Sequence, residues 1–161
     1  MIVLVLGGAR SGKSAVAEVV AGRAAAPVTY LATAVATDDD MAARIAAHRA
    51  RRPPSWRTVE EAVAVPAALR DLTGTVVLDA LGGWVAATLD AVDADGLCDA
   101  LAARASDTVV VSEEVGMGVH PSTEAGRRFR DVLGELNQRV AAIADEVLLV
   151  VAGRVLPLEA G

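Results

Sequence analysis

The first fourteen residues restrict the fold of this chain more than any other stretch. Met1 precedes an apolar run, Ile2 to Leu6, and then comes Gly7-Gly8-Ala9-Arg10-Ser11-Gly12-Lys13-Ser14, the pattern G-x-x-x-x-G-K-S. A helix-forming stretch, Ala15 to Ala26, follows directly. This pattern is meaningful only in the order strand, loop, helix, and that order is met. Lys13 is the only lysine of the chain, which argues against an ordinary Gly-rich turn.

A loop of this kind is suited to holding phosphate. Its glycines let the backbone wrap closely, successive N–H groups point into the loop, and the following helix offers the positive end of its dipole. Lys13 can reach the β and γ phosphates, and the Ser14 hydroxyl can ligate Mg²⁺. We therefore predict that the chain binds a nucleoside triphosphate with Mg²⁺.

The rest of the chain alternates between apolar runs and helical patterns, as stacked βαβ units do. Alanine and valine supply much of the 53% hydrophobic content and aromatic residues only 2%, which suits a parallel sheet covered by helices. We predict one P-loop NTPase domain over residues 1–161, an α/β fold of RecA-like type with a mostly parallel sheet flanked by helices. The later predicted strands are 28–32, 56–60, 75–79, 108–112, 146–152 and 155–158, and the later predicted helices are 41–51, 65–72, 84–89, 97–105 and 123–144.

Charge and cysteine content exclude several classes of protein. A net charge of −6 and a pI near 4.9 argue against a binder of nucleic-acid backbones. The single cysteine, Cys98, allows no internal disulfide and favours a reducing compartment. The N-terminal apolar run is too short to span a membrane and has no charged leader. We expect a cytoplasmic protein without a membrane segment.

A carboxylate ends one predicted strand, Thr75-Val76-Val77-Leu78-Asp79. In P-loop NTPases a second acidic element holds Mg²⁺ opposite the loop, and Asp79 is the candidate for that role beside Ser14. The alternative is an aspartate that caps the following segment.

A basic helix carries the second feature of interest. Asp38-Asp39-Asp40 supply cap and first-turn acids for a helix that begins near Met41. Helical spacing then places Arg44, His48, Arg51 and Arg52 on one face. Neighbouring guanidinium groups disfavour the cationic form of His48, which leaves a nucleophilic imidazole beside groups that neutralise phosphate. From the spacing alone, a solvated basic face with a passive histidine is the favoured interpretation.

Nearly the whole chain resembles the bifunctional adenosylcobinamide kinase/adenosylcobinamide-phosphate guanylyltransferase family of cobalamin biosynthesis. The similarity rests on an ordered set of segments, whereas the P-loop alone would name only a superfamily. These segments are 7–14, Tyr30-Leu31-Ala32-Thr33-Ala34, Met41-Ala42-Ala43-Arg44-Ile45, His48-Arg49, Arg52-Pro53, Trp56-Arg57-Thr58 with Glu60, Glu114-Val115-Gly116-Met117-Gly118 with Pro121, Phe129-Arg130-Asp131, Gly134, Asn137-Gln138 and Ala144-Asp145-Glu146-Val147.

The resemblance implies two reactions: an ATP- or GTP-dependent phosphorylation of adenosylcobinamide, in which Lys13 acts, and transfer of GMP from GTP through His48. It also implies a homotrimer. The positions it places around the nucleotide are residues 7–14, Ala32, Thr33, Ala34, Arg49, Ala50, Arg51, Arg52, Glu60 and Asp79.

The sequence departs from the family pattern after the fourth predicted strand. The family strand usually ends in glutamate, a longer arm than Asp79, and the segment Ala80-Leu81-Gly82-Gly83-Trp84 holds small residues where more polar ones are expected. Two other functions stay open: a single-function small-molecule kinase in which His48 only orients phosphate, and a non-catalytic module that senses nucleoside triphosphate.

Overall fold

The computed structural model describes residues 1–24, 27–34, 36 and 39–161. The side chains of Asp40, Met41 and Arg44 lie outside that description, as do Ala25, Ala26 and Asp38 altogether. No helix in these ranges is long and apolar enough to cross a membrane.

Seven strands form one sheet in the order β3-β2-β4-β5-β1-β6-β7. All neighbouring pairs are parallel except β6 and β7, which are antiparallel. The strands are β1 (Ile2–Gly7), β2 (Val28–Ala32), β3 (Arg57–Glu60), β4 (Thr75–Asp79), β5 (Thr108–Glu113), β6 (Glu146–Val151) and β7 (Arg154–Pro157). The predicted mostly parallel α/β fold is confirmed.

Six helices join these strands in the part of the chain that is described. They are α1 (Lys13–Ala21), α2 (Asp39–Arg51), α3 (Val65–Asp71), α4 (Leu81–Thr88), α5 (Ala94–Ala102) and α6 (Glu124–Ile143).

The two faces of the sheet carry separate cores. On one face, Leu4, Leu78 and Val110 pack with the apolar stripe of α6, which includes Leu133 and Leu136. That cluster also contains residues of α3, α4 and α5. On the other face, side chains of β1, β2, β4, β5 and β6 pack against Ala17 and Ala21 of α1. Because successive strand side chains alternate between faces, the odd-numbered residues of β1, β4 and β5 face α1.

Three of these helices differ from the prediction by three residues or more at one end or at both. Helix α1 ends at Ala21, short of the predicted Ala26, which lies outside the described residues. Beyond Gly22 the N–H groups of Arg23 and Ala24 donate to carbonyls three residues back, those of Val20 and Ala21, at 3.2 and 3.1 Å, and such bonds tighten the last turn of a helix. Helix α5 begins at Ala94, three residues early, because Asp93 caps it by accepting a hydrogen bond from the Gly96 N–H.

Helix α4 begins at Leu81 and contains the Gly82-Gly83 pair that was predicted to precede a helix. Both glycines allow close packing. A Cβ on Gly82 would lie 2.9 Å from Cδ of Glu113, and one on Gly83 would lie 3.2 Å from the Thr33 carbonyl oxygen. Tertiary contact therefore overrides the low helix propensity of glycine. Trp84 is buried in this helix and donates from Nε1 to the Val63 carbonyl at 2.9 Å, so it packs the core.

Candidate active site

The P-loop lies between the end of β1 and the start of α1. Gly12 has φ of 95°, a left-handed conformation that glycine adopts without strain. The Ser11 N–H donates to the Gly8 carbonyl at 3.3 Å, and the Ser11 carbonyl accepts from the Gly153 N–H at 2.8 Å. The loop is thus tied to the β6–β7 turn, and its backbone leads into the N-terminus of α1 as a phosphate cradle requires.

Lys13 lies back over this loop. Its Nζ donates to the Gly8 carbonyl at 3.4 Å and lies 3.7 Å from Oε1 of Glu113. The lysine side chain is only 12% exposed and that of Glu113 is 32% exposed. A sheltered ammonium group therefore stands over the predicted phosphate cradle with a carboxylate as its counter-ion.

Glu113 is a site residue that the sequence analysis missed. It ends β5, the strand between β1 and β4, and its Oε2 accepts from the Gly82 N–H at 3.0 Å. Burial raises the pKa of Glu113, the Lys13 ammonium opposes that rise, and the negative charge of Asp79 adds to it. The available signal was a carboxylate directly after an apolar strand, the same signal that singled out Asp79.

Asp79 ends β4, where its register partner on β5 is Val111, two residues before Glu113. Its Oδ2 accepts a hydrogen bond from the Tyr30 hydroxyl. Mg²⁺ takes oxygen ligands and is commonly held by one or two carboxylates together with substrate phosphates. The Ser14 hydroxyl and the Asp79 carboxylate supply the right donor atoms, and Glu113 supplies a second carboxylate nearby. These donor atoms fit Mg²⁺ that is bound together with nucleotide. Among the described residues, no group of three His, Cys, Asp or Glu side chains suited to a metal occurs.

Helix α2 and the residue after it bring His48, Arg51 and Arg52 to the face of the sheet that packs against α1. His48 is half-buried. Burial lowers its pKa and the positive charge of Arg51 lowers it further, whereas Asp79 and Glu18 oppose the shift. The direction is the predicted one, but burial and not the guanidinium groups is the main cause. Both effects favour the neutral form of the imidazole over the charged form.

The arginines of this segment have different partners. Arg51 Nη2 lies 3.5 Å from Oε1 of Glu18 on α1. Arg52, one residue beyond α2, places Cζ 3.3 Å from the ring centroid of Tyr30. Arg49 pairs with Glu60 at 3.7 Å in an exposed contact, with side chains 62% and 63% exposed. Arg44 belongs to α2, but its side chain is outside the description.

The remaining predicted positions differ in how deeply they are buried. The Thr33 hydroxyl is buried, accepts from the Ala80 N–H at 3.1 Å and donates to the Ala80 carbonyl at 2.5 Å. It ties β2 to the end of β4. Ala32 is partly buried, whereas Ala34 and Ala50 are exposed. The P-loop and Asp79 thus lie at the carboxyl ends of β1 and β4, and His48 and Arg52 lie near Asp79 and its partner Tyr30. Arg49, Ala50 and Glu60 are exposed to solvent.

Comparison with known proteins decides the family. The family described as cobinamide kinase/cobinamide phosphate guanyltransferase, CobU, matches residues 3–158. The chain belongs to the CobU family. This CobU-family chain is 42% identical to the bifunctional adenosylcobalamin biosynthesis protein CobP of Pseudomonas aeruginosa, over 97% of this chain and 96% of the relative. It is also 42% identical to the CobU protein of Salmonella typhimurium, over 95% and 97%, and 40% identical to that of Escherichia coli, over the same shares.

A solved structure of an ATPase from the type III secretion system of pathogenic bacteria is similar in fold. The two superpose with a TM-score of 0.57 over 92% of the CobU-family chain and 50% of the ATPase, at 14% identity. That likeness agrees with a RecA-like P-loop fold.

Proposed function

We propose that one domain, residues 1–161, performs both activities of the CobU family. Two groups of residues near the carboxyl ends of the parallel strands carry them out. The family itself comprises cobinamide kinases and cobinamide phosphate guanyltransferases, which act in nucleotide loop assembly of cobalamin. The P-loop with Lys13, Ser14 and Asp79 serves phosphoryl transfer, and His48 with the arginines of its segment serves guanylyl transfer. The observation that carries this division is the half-buried position of His48 on α2, where burial lowers its pKa and Asp79 is near enough to oppose that shift.

In the kinase half, ATP or GTP provides a phosphoryl group for the aminopropanol hydroxyl of adenosylcobinamide. Loop N–H groups and Lys13 bind the β and γ phosphates and stabilise the charge that develops during transfer. Lys13 exchanges its contact with Glu113 for the phosphate oxygens. Ser14 and Asp79 would hold Mg²⁺, which would supply neutralisation of the phosphate charge.

In the guanylyltransferase half, the unprotonated ring nitrogen of His48 attacks the α-phosphorus of GTP. A nitrogen–phosphorus bond forms as the bond to the leaving oxygen breaks, and pyrophosphate departs. A phosphate oxygen of adenosylcobinamide phosphate then attacks the same phosphorus, which releases neutral imidazole and gives adenosylcobinamide-GDP. Two displacements through a covalent intermediate replace a direct encounter between two anions.

The variant His48→Asn tests this assignment, with His120→Asn as the matched control. His120 lies on an exposed loop, where its Nδ1 contacts Nη1 of Arg130 at 2.8 Å. Wild type and His120→Asn, incubated with GTP labelled at the α-phosphate, should retain label that is acid-labile and alkali-stable. His48→Asn should retain none, yet should still bind nucleotide and phosphorylate adenosylcobinamide.

The two open alternatives give different results in the same experiment. A single-function kinase would phosphorylate adenosylcobinamide and carry no covalent label even as wild type. A non-catalytic module would bind GTP and turn over no corrinoid. Wild-type formation of the GDP-linked corrinoid by His48→Asn would contradict the role of His48.

We also propose that the chain assembles as a homotrimer and acts in the cytoplasm. Apolar side chains on the outer strand β7 and beside it support self-association, because Val151, Val155 and Leu156 are exposed there. Sedimentation equilibrium should give three times the chain mass, and a monomeric mass at working concentration would refute the trimer.

A further inference from the structure

Tyr30 lies where the two groups of active-site residues meet. It is the only tyrosine of the chain, stands on β2 and is 1% exposed. Its register partner on β4 is Val77, so Asp79, two residues further, presents its side chain to the same face. The Tyr30 hydroxyl donates to Oδ2 of Asp79.

That hydrogen bond engages one carboxylate oxygen and leaves the other for a further ligand. The χ2 angle of an aspartate has a broad, roughly two-fold distribution, so a carboxylate without a partner adopts many orientations. A donor on a buried ring restricts this freedom, and the Tyr30 ring is buried among Ala17, Ala21 and apolar residues of the neighbouring strands.

The ring of Tyr30 has a second partner. Cζ of Arg52 lies 3.3 Å from its centroid, the arrangement of a close cation–π contact. Nη1 of Arg52 donates to the Thr58 hydroxyl at 3.2 Å. Nε of Arg52 is buried and has no hydrogen-bond partner in the part of the chain that the structure describes. The ring contact and the bond to Thr58 thus set the orientation of the guanidinium, and its Nε–H group can still donate to a ligand.

We infer that Tyr30 is a positioning residue for both reactions: its hydroxyl orients Asp79 for the phosphoryl-transfer group, and its ring orients Arg52 for the guanylyl-transfer group. This inference rests on the proposed function. Its two halves are separable, because Tyr30→Phe removes only the hydroxyl, whereas Tyr30→Leu also removes the ring.

The hydroxyl half is tested by nucleotide binding. The affinity for a fluorescent ATP analogue is titrated with Mg²⁺ in wild type, Tyr30→Phe, Asp79→Ala and the double variant. Tyr30→Phe should raise the half-saturating Mg²⁺ concentration roughly tenfold, the effect of losing one hydrogen bond to a charged group. In the Asp79→Ala background the same substitution should cause no further change, because the hydroxyl then has no carboxylate to orient.

The ring half is tested by guanylylation of His48 at saturating Mg²⁺. Tyr30→Phe should form the covalent GMP adduct at a rate within about twofold of wild type, since a phenyl ring also binds cations. Tyr30→Leu should slow adduct formation by roughly five- to thirtyfold. Should Tyr30→Leu fail to fold, Arg52→Lys, which lacks the planar guanidinium, should slow adduct formation to a similar extent.

Distinct outcomes overturn each half. A tenfold Mg²⁺ shift that persists in the Asp79→Ala background means that the hydroxyl does not act through Asp79. Equal slowing of adduct formation by Tyr30→Phe and Tyr30→Leu, or none by either, means that the ring does not position Arg52. A wild-type chain that never forms the adduct contradicts the proposed function and, with it, the role of the Tyr30 ring. The Mg²⁺ titration does not depend on the adduct and still tests the role of the Tyr30 hydroxyl.

Discussion

Alkaline pH should destabilise the folded chain through Tyr30. Burial raises the pKa of this hydroxyl most, and the charge of Asp79 and the hydrogen bond to it raise the pKa further, against the opposing charge of Arg52. Glu18 adds a smaller rise. In the unfolded chain the tyrosine pKa is about 10. Above that pH the unfolded state has lost a proton that the folded state still holds, so the free energy of unfolding falls as pH rises.

The magnitude follows from that difference. Each pH unit between the unfolded and folded pKa values removes about 1.4 kcal/mol of stability. At about pH 10 half of the unfolded chains still hold the proton, so the full slope is reached only above that pH. Between about pH 10 and pH 12 the loss from Tyr30 alone is therefore about 2 kcal/mol, a large part of the roughly 5–15 kcal/mol that stabilises a typical domain.

Urea unfolding over this pH range, followed by circular dichroism, measures the loss. Burial also raises the pKa of Cys98, which adds a slope of the same sign, so both proteins carry Cys98→Ala. In that background Tyr30→Phe should show a slope smaller by about 1.4 kcal/mol per pH unit. Near-ultraviolet absorbance of tyrosinate reports one residue only, because the chain has one tyrosine, and it should develop together with unfolding. Tyrosinate that forms near pH 10 while the circular dichroism stays native would refute the reasoning.

Two further predictions concern the scaffold and the phosphate loop. Arg104 donates to the carbonyls of Leu69, Leu72 and Gly74 and to the Thr108 hydroxyl, so Arg104→Met should lower the free energy of unfolding by about 3 kcal/mol; a loss below about 1 kcal/mol in urea unfolding would show that these bonds contribute little. A Cβ on Gly7 would lie 2.7 Å from the Val150 carbonyl oxygen, so Gly7→Ala should weaken binding of a fluorescent ATP analogue at least tenfold. The control Gly134→Ala, at a helical glycine with no atom within 4 Å of the new Cβ, should bind it as wild type does, and equal affinities for both variants would contradict the loop geometry.

Local patterns sufficed for most of the fold. The strand-loop-helix order around Lys13, the apolar runs of β4 and β5, and the spacing along α6 each depend on residues close together in sequence. The errors arose where distant residues decide. Gly82 and Gly83 are helical because Glu113 and Thr33 pack against them, and no nearby residue indicates that.

The candidate site was predicted less completely for the same reason. Asp79 and Glu113 carry the same local signal, but Glu113 faces Lys13 only because β5 lies between β1 and β4, and strand order is a property of the whole sheet. The link from Tyr30 to Arg52 joins β2 to the segment after α2 and has no periodic signal in the sequence.

The solitary lysine makes the phosphate cradle chemically addressable. Its ε-amino group lies on the active-site edge, largely sheltered and beside a carboxylate, and no other side chain of this sequence carries an ammonium group. An acylating reagent would therefore modify the phosphate loop at one place, Lys13, and otherwise only the α-amino group of Met1, which is half-exposed. The added mass on the peptide that contains Lys13 would report loops without nucleotide, and protection of that peptide would measure nucleotide occupancy in a mixture without any engineered tag.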